Sequence, residues 1–324
     1  MLAAGVEAGL RPFRKVSGLR STLTPDPSPG GRGEISSKWK TRQLTPVFGA
    51  EITGVDLREV NDATFAEIED AFETHSVLIF PGQPLDDESQ IGFSRRFGVL
   101  ETTQGHIANN FSVKQVSVIS NLDPDGKLMS ADYPRVQYRL GQRNWHSDSS
   151  FKRVPAKASL LHARVLPPDG GETQFASLRA AWDALPEARK RLLEGKAAIH
   201  HYAWSRRNLK IQITNEEEDR RFPPVAQAIV RVNPVNGRKA LYVGSHASHI
   251  RGMPEEEGRA LLAELLEFAT QEKFTYLHRW RVGDLVMYDN RAALHRARPY
   301  AITTHPRVLH RTTVAGEGPT VAQE

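Results

Sequence analysis

The chain has 324 residues, 39% hydrophobic and 25% charged, a composition typical of globular proteins. The absence of cysteine excludes disulfides, thiolate metal sites and a cysteine nucleophile, and it favours a reducing, cytoplasmic location. The net charge of +5 comes mostly from residues 1–40, where seven Lys or Arg accompany three acids, so the nearly neutral remainder lacks the basic clustering of a nucleic-acid-binding domain. No run of 18 apolar residues predicts a membrane span.

Residues 1–40 are predicted to form a disordered leader. Pro and Gly are too dense in "T-L-T-P-D-P-S-P-G-G-R-G-E" (Thr22–Glu34) for a helix or a sheet. The Arg-rich, acid-poor sequence before it is also compatible with an organellar transit peptide, but an extension without a structural role is the simpler interpretation. We expect residues 41–324 to form a single domain.

The following sequence predicts short strands and a few helices. Val47–Leu57 carries strand-forming residues interrupted by Gly, and Asp62–Phe72 has apolar residues at helical spacing behind a cap at Asn61 or Asp62. Ser76–Phe80 is a short apolar run that predicts a buried strand. Further strands are predicted at Val116–Ser120, Ala158–Val165, Ala197–Tyr202, Ala228–Val232, Lys239–Val243, Phe274–Trp280, Asp284–Tyr288 and Val308–Val314. Further helices are predicted at Asp86–Phe97, Ser177–Leu193 and Pro254–Ala269.

This order of elements indicates the fold class. Many short strands separated by turn signals, with helices at their flanks, are typical of a mainly β, α+β protein rather than of alternating βαβ units. We therefore expect a jelly-roll-like core of the double-stranded β-helix (cupin-like) type. The leucine stripe of Pro254–Ala269 is explained by a helix packed on a sheet.

One pair of residues has the spacing of metal ligands. His146 and Asp148 form the only H-x-D/E in the chain, within "N-W-H-S-D-S-S-F" (Asn144–Phe151). In an extended segment the two side chains point to the same side and Trp145 to the other. Two ligands make a weak site, so a catalytic metal requires a third from elsewhere in the chain.

Among the remaining histidines, His295 has the surroundings best suited to a third ligand. It follows a predicted strand and a turn in "G-D-L-V-M-Y-D-N-R-A-A-L-H-R". His162 and His278 lie within predicted strands, where a structural role is the simpler interpretation. His246 and His249, in "G-S-H-A-S-H-I", stand in a Gly/Ser-rich connection, and contact with the active site is the less favoured interpretation for them.

Two arginines follow His295 on one predicted strand. Arg307 and Arg311 are four residues apart, so a regular strand would place them on the same face. Paired guanidinium groups near a metal indicate carboxylate recognition, because Arg binds carboxylates through two hydrogen bonds and keeps its charge.

The order of these motifs resembles that of the iron(II)/2-oxoglutarate-dependent dioxygenases of the TauD/TfdA family. H-x-D is followed by "G-G-E-T" (Gly170–Thr173), then by D-N-R-x-x-L-H-R and R-x-x-x-R. "W-H-S-D-S-S-F", "G-D-L-V-M-Y-D-N-R" and "G-S-H-A-S-H" are most similar to the TfdA branch, the 2,4-dichlorophenoxyacetate dioxygenases. The resemblance covers about residues 44–316. In combination the motifs are specific for the family and less specific for the substrate.

The resemblance implies a set of site residues. His146, Asp148 and His295 would be the iron ligands. Thr173 and Arg307 would bind the distal carboxylate of 2-oxoglutarate, and Arg311 would lie near the substrate anion and the 1-carboxylate of the cosubstrate.

Three further residues, His106, Gln142 and His201, fall near regions equivalent to substrate contacts. The interval from His295 to Arg307 is one residue longer than the family pattern, so a short insertion is expected around residues 301–305.

The resemblance also implies a reaction. Fe(II), 2-oxoglutarate and O₂ would hydroxylate a small carboxylate with release of succinate and CO₂. An aryloxyalkanoate such as 2,4-dichlorophenoxyacetate would then give a phenol and glyoxylate. Taurine, another sulfonate or an alkyl sulfate remain alternative substrates. A zinc-dependent hydrolase with the same ligands and a non-catalytic binding barrel are alternatives of a different class. The oligomeric state, including a homo-oligomer, stays open.

Overall fold

Short strands dominate the computed structural model, which describes residues 39–102, 114–206 and 220–322. The strands are β1 (Lys40–Gln43), β2 (Ala50–Thr53), β3 (Val77–Phe80), β4 (Ser117–Ser120), β5 (Ala158–Val165), β6 (Thr173–Ser177), β7 (Ala197–His200), β8 (Val225–Ala228), β9 (Val230–Val232), β10 (Lys239–Leu241), β11 (Ala247–Ile250), β12 (Thr275–His278), β13 (Leu285–Asp289), β14 (Ala293–Ala297) and β15 (Val308–Val314). The helices are α1 (Asp62–His75), α2 (Asp87–Arg95), α3 (Pro134–Leu140), α4 (Leu178–Asp183), α5 (Glu187–Leu193) and α6 (Glu255–Ala269), with short 3₁₀ turns at Gly141–Arg143, Ala203–Arg206 and Glu272–Phe274.

A seven-stranded sheet forms the largest layer. Its order is β1-β2-β3-β13-β5-β15-β4, and every pairing is antiparallel except that of β2 with β3. Three smaller sheets accompany it, with the orders β12-β6-β14, β11-β7-β8 and β10-β9. The described part of the chain is therefore a mixed α+β structure with mainly antiparallel sheets.

The alternation of side chains along the central strands builds two cores. Leu78 and Phe80 of β3 face α1 and α2, where they pack with Phe72 and other apolar residues. Val77 and Ile79 point to the opposite face, where they pack with residues of β6 and β14. A third core lies under α6, whose leucine stripe is buried as expected for a helix packed on a sheet. No described helix is long and apolar enough to span a membrane.

Several predicted elements differ from those observed. The predicted helix Ser177–Leu193 is two helices, because Pro186 lacks an N–H and separates α4 from α5. The strands β1, β6, β8, β11 and β14 and the helix α3 were not predicted. The segment Asn144–Phe151 is not a continuous strand: His146 forms a single bridge, and a turn follows in which Ser149 has φ of 55°. The residues around the expected insertion, 301–305, form a turn in which Thr304 N–H donates to Ala301 O.

Candidate metal centre and its cavity

Backbone pairing brings two of the predicted ligands together. His146 and His295 form an antiparallel bridge with reciprocal N–H···O bonds of 3.0 and 2.9 Å, and their rings are 4.2 Å apart. Asp148 enters from the turn that follows His146, and its N–H donates to Asn290 Oδ1 at 3.0 Å. The strand β14 and the loop before the turn therefore aim three ligand side chains at one point.

The donor atoms have the geometry of a metal site. Asp148 Oδ1 lies 3.9 Å from Nε2 of His146 and 3.9 Å from Nε2 of His295, and one ligand atom from each residue lies within 4.8 Å of the others. His146 Nδ1 donates to Asn144 O at 2.8 Å, so Nε2 keeps its lone pair for a metal. Two imidazoles and one carboxylate on one face suit Fe(II), with positions left for cosubstrate and O₂.

The carboxylate of Asp148 is held on both oxygens. Oδ2 accepts hydrogen bonds from Ser159 Oγ at 2.7 Å and Tyr288 Oη at 2.9 Å, and Oδ1 accepts one from Arg311 Nη1 at 2.7 Å. Asn290 Nδ2 donates to Ser159 Oγ at 3.0 Å and so fixes that hydroxyl. Because Oδ2 already has two donors, Oδ1, which faces the imidazoles, is the oxygen available to a metal.

The electrostatics give the ligands their metal-binding protonation states. Burial alone would raise the pKa of Asp148, but Arg311 and the two imidazoles hold it well below its ordinary value. Burial lowers the pKa of His295 to about 3 and also lowers that of His146. Burial, and then Asp148, raises the pKa of Tyr288 well above its ordinary value, so Tyr288 is a hydrogen-bond donor. The site therefore offers two neutral imidazoles and one carboxylate, as metal binding requires.

Arg307, expected to bind the distal carboxylate of 2-oxoglutarate with Thr173, contacts the segment that leads into Thr173. Arg307 donates from Nε and Nη2 to Gly171 O at 3.1 and 2.8 Å, and burial lowers its pKa to about 10. Thr173 is buried at the start of β6, and its Oγ1 accepts a bond from Trp280 Nε1 at 3.0 Å. Arg307 lines a small cavity of about 30 Å³, together with Tyr300 and other residues.

Two glycines allow the close packing around Arg307. Gly170 and Gly171 have φ of 73° and 72°, a region that glycine adopts without strain. A Cβ at Gly171 would lie 2.9 Å from Arg307 Nε, and one at Gly170 would lie 2.5 Å from Pro299 O. The G-G of "G-G-E-T" is thus required by the approach of the arginine and of a neighbouring backbone.

The larger cavity, of about 170 Å³, opens on two of the three metal ligands. His146, Asp148 and Arg311 line it, and so does Gln142, which was expected to contact substrate. His201 does not line it; its N–H bonds to His246 O instead. His106 lies outside the described residues.

Most of the residues that line this cavity were not predicted from the sequence. His246 lines it, with its ring 6.2 Å from that of His146 and Nδ1 3.1 Å from Ser150 Oγ, whereas His249 bonds to Ser248. The i, i+3 spacing of the two histidines was the available signal. The Gly/Ser-rich sequence around the two histidines favoured a connection without a site role, whereas in the structure His246 directly precedes the strand β11.

Other wall residues had no sequence signal of their own. Phe151, Tyr202 and Phe222 form an aromatic cluster, with ring centroids 4.7 to 5.2 Å apart. Arg206 stands against this cluster, with its Cζ 3.8 Å from the Tyr202 ring centroid. These residues come from separate segments, and only the fold brings them together.

His162 and His278 have the structural roles that were expected. His162 Nε2 donates to Gln83 O at 2.9 Å inside the core. His278 Nε2 lies 3.3 Å from Asp284 Oδ2, and both residues are buried. Neither reaches the metal centre.

The fold and the site define a metal-dependent oxygenase with a two-histidine, one-carboxylate centre. The family model described as "Taurine catabolism dioxygenase TauD, TfdA family" matches residues 40–313. The chain belongs to this TauD/TfdA family of 2-oxoglutarate-dependent dioxygenases. Membership in this family excludes the two alternative classes of protein, a zinc-dependent hydrolase and a non-catalytic binding barrel.

Individual relatives support this placement. The chain is 44% identical to the alpha-ketoglutarate-dependent 2,4-dichlorophenoxyacetate dioxygenase of Burkholderia sp. strain RASC, over 84% of this chain and 93% of that protein. It is 36% identical to the (S)-phenoxypropionate/alpha-ketoglutarate-dioxygenase of Sphingobium herbicidovorans, over 87% and 97%. The crystal structure of AAD-2 in complex with Mn(II) and N-oxalylglycine superposes with a TM-score of 0.81 at 42% identity, covering 88% of this chain and 99% of that one.

Proposed function

We propose that this protein uses Fe(II), 2-oxoglutarate and O₂ to hydroxylate an aryloxyalkanoate of the 2,4-dichlorophenoxyacetate type. The observation that carries the proposal is the grouping of His146, Asp148 and His295 beside a cavity that His146 and Asp148 line and that has aromatic and cationic walls. The relatives named for 2,4-dichlorophenoxyacetate and phenoxypropionate support the same substrate class.

The proposed roles follow the positions of the side chains. His146, Asp148 and His295 bind the iron, and Thr173 and Arg307 bind the distal carboxylate of 2-oxoglutarate. Arg311, bonded to Asp148 Oδ1, lies beside the 1-carboxylate. The double-stranded β-helix is the proposed core arrangement, and residues 41–324 the proposed single domain, a division that the family match over residues 40–313 supports.

In this mechanism the protein chiefly binds and orients the iron, the cosubstrate and the substrate. When bound, iron and 2-oxoglutarate activate O₂ and yield succinate, CO₂ and a hydroxylated substrate. Ser159 and Tyr288 hold Asp148 so that one oxygen faces the metal, while Arg307 fixes the far end of the cosubstrate through charge-assisted bonds. The aromatic cluster of Phe151, Tyr202 and Phe222 packs on the aryl ring and keeps water from it.

The chemistry of the substrate then gives the products. Hydroxylation of the carbon between the ether oxygen and the carboxylate forms a hemiacetal. The bond from that carbon to the ether oxygen breaks, the hydroxyl proton passes to the leaving phenolate, and the products are a phenol and glyoxylate. No further protein group is needed for the cleavage.

Two experiments test the proposal. Anaerobic addition of Fe(II) and 2-oxoglutarate should produce the visible charge-transfer band of the chelate in the wild type and no band in His146→Ala. Absence of the band in the wild type would rule out the dioxygenase chemistry. Succinate release is then measured with aryloxyacetates, taurine and an alkyl sulfate. Stimulation by the last two alone would replace the aryloxyalkanoate assignment with the sulfonate or sulfate alternative.

The cytoplasmic location stays a prediction. The disordered leader also stays a prediction, because residues 1–38 lie outside the described residues. The oligomeric state stays open.

A further inference from the structure

The cavity contains two arginines in different electrostatic situations. Arg311 donates to Asp148 Oδ1 at 2.7 Å, so the charge of its guanidinium is balanced by a ligand of the metal. Arg206 lines the same cavity, and within the described residues no carboxylate lies at ion-pair distance from it. Its bonds run from Nη1 to Tyr202 O at 3.2 Å and to Ser205 Oγ at 2.9 Å, and both acceptors are neutral.

Two tyrosine rings fix the orientation of Arg206. Its Cζ lies 3.8 Å from the ring centroid of Tyr202 and 4.4 Å from that of Tyr138. Stacking and the two hydrogen bonds of Nη1 hold the side chain, so little rotamer entropy is left to lose when a ligand binds. Nε is buried and has no hydrogen-bond partner among the residues that the structure describes. A guanidinium with unused donors facing a cavity is suited to bind an anion bidentately.

A chain of ring contacts connects Arg206 to the metal centre. Tyr202 lies 4.7 Å from Phe151, Phe151 lies 5.0 Å from His246, and His246 lies 6.2 Å from His146. An aryl acid in this cavity can therefore place its ring on the aromatic cluster while its anionic group reaches Arg206.

We propose that Arg206, clamped between Tyr138 and Tyr202, binds the anionic group of the substrate and selects acids over neutral analogues of the same shape. The inference rests on the proposed function for its substrate class, an aryloxyalkanoate. It differs from the sequence-based expectation, in which Arg311 was the residue near the substrate anion, because Arg311 already has Asp148 as a partner.

Binding is measured by calorimetry on the full chain loaded with Mn(II) and 2-oxoglutarate, with 2,4-dichlorophenoxyacetate and its neutral primary amide as probes. Replacing Arg206→Gln should weaken binding of the acid about 10- to 100-fold and change that of the amide by less than about twofold, since a hydrogen bond to a charged group is lost. Arg206→Lys should restore part of the preference for the acid, because it keeps the charge without the planar fork. Affinity for 2-oxoglutarate should stay at the wild-type value.

Arg259→Gln is the matched control. The Cζ atom of Arg259, in α6, lies 4.5 Å from the ring centroid of Trp204, and Trp204 belongs to the same 3₁₀ turn as Arg206. Unlike Arg206, Arg259 pairs with Glu255 and does not line the cavity. It should leave the preference for the acid unchanged. A purely structural role of Arg206 would weaken binding of acid and amide equally and lower the unfolding temperature, and that result would overturn the proposal.

The outcomes separate this inference from the proposed function. Wild type that turns over aryloxyacetates while Arg206→Gln binds the acid normally contradicts the inference alone. Wild type that binds the acid through Arg206 but releases no succinate contradicts the proposed function alone. Failure of the wild type to bind the acid overturns both.

Discussion

Two clusters of buried charge lie near each other in this protein, and they differ in how their charges are balanced. The supporting cluster consists of Glu73, Arg179, Asp289 and Arg291, all with at most 6% relative exposure. Arg291 bonds to Glu73 and Asp289 at 2.8 Å, and Arg179 bonds to Asp289 at 3.2 Å. Two acids meet two arginines, so every charge has a partner within the protein.

The cavity at the metal centre has an excess of positive charge. Arg139, Arg206, Arg307 and Arg311 line the two cavities, whereas the described part of the chain contributes only the carboxylates of Asp148 and Glu101 to their walls, and Glu101 is paired with Lys152. Burial lowers the pKa of Arg139 to about 9 and that of Arg307 to about 10, which reflects the cost of keeping these cations from water. Balanced buried charge supports the fold, and unbalanced buried charge marks where anionic ligands bind.

The two regions are joined through one loop. Asp289 belongs to the supporting cluster, and the next residue, Asn290, bonds to the Asp148 N–H and to Ser159. A change in either region therefore tests whether support and ligand binding are separable.

The largest effect is expected for Asp148→Asn. It removes the negative charge that would bind iron and leaves the half-buried Arg311 without its carboxylate partner. Iron affinity should fall by more than the roughly 10- to 100-fold that loss of an outer contact costs, and turnover should become undetectable. Asp87→Asn, which disturbs the contact with His310 away from the centre, is the control. Normal iron binding by Asp148→Asn, measured by titration, would contradict the assigned metal site.

Arg291→Met tests the supporting cluster. It leaves Glu73 and Asp289 buried with one partner fewer, so the free energy of unfolding should drop by about 3–5 kcal/mol. The exposed pair of Arg238 with Asp183 provides the comparison, and Arg238→Met should cost at most about 1 kcal/mol. Urea denaturation measures both. Equal losses in the two variants would show that balanced burial is not what makes the cluster important.

Arg307→Gln tests the excess charge at the cosubstrate end. The dissociation constant of 2-oxoglutarate should rise about 10- to 100-fold, because a charge-assisted contact to its distal carboxylate is lost. The rate at saturating 2-oxoglutarate should change little. An increase in the KM for the aryl acid without a change in 2-oxoglutarate binding would instead assign Arg307 to the substrate.

The smallest effect is expected for Tyr288→Phe. Asp148 Oδ2 loses the bond from the tyrosine but keeps that from Ser159, so iron affinity should fall about tenfold, the lower end for such outer contacts. Ser159→Ala should cost more, because it also leaves Asn290 Nδ2 without its acceptor. The two variants are compared by iron titration, and the reverse order would assign the main support to Tyr288.

Local patterns in the sequence predicted much of the fold. Ala158–Val165 was predicted with its observed limits, and Asp62–Phe72 and Pro254–Ala269 appear as helices with small shifts at their ends. β14 and β6 were missed because their apolar residues are interrupted by His295, Arg296 and Gln174, and pairing with each other stabilises them. Pairing partners that are distant in sequence leave no local periodicity.

The sequence by itself determined the composition of the metal centre, because motif order identified His146, Asp148 and His295, which the structure brings together. Motif order also predicted Thr173 and Arg307 as residues that bind 2-oxoglutarate. Only the tertiary structure decided which oxygen of Asp148 faces the metal, since Tyr288, 140 residues away, occupies the other one. It also placed Arg206 between Tyr138 and Tyr202 and directed Arg311 to Asp148. The chemical properties of a residue type can be inferred from a sequence. A hydrogen-bond partner or a cavity wall cannot, because it depends on distances that exist only after the chain has folded.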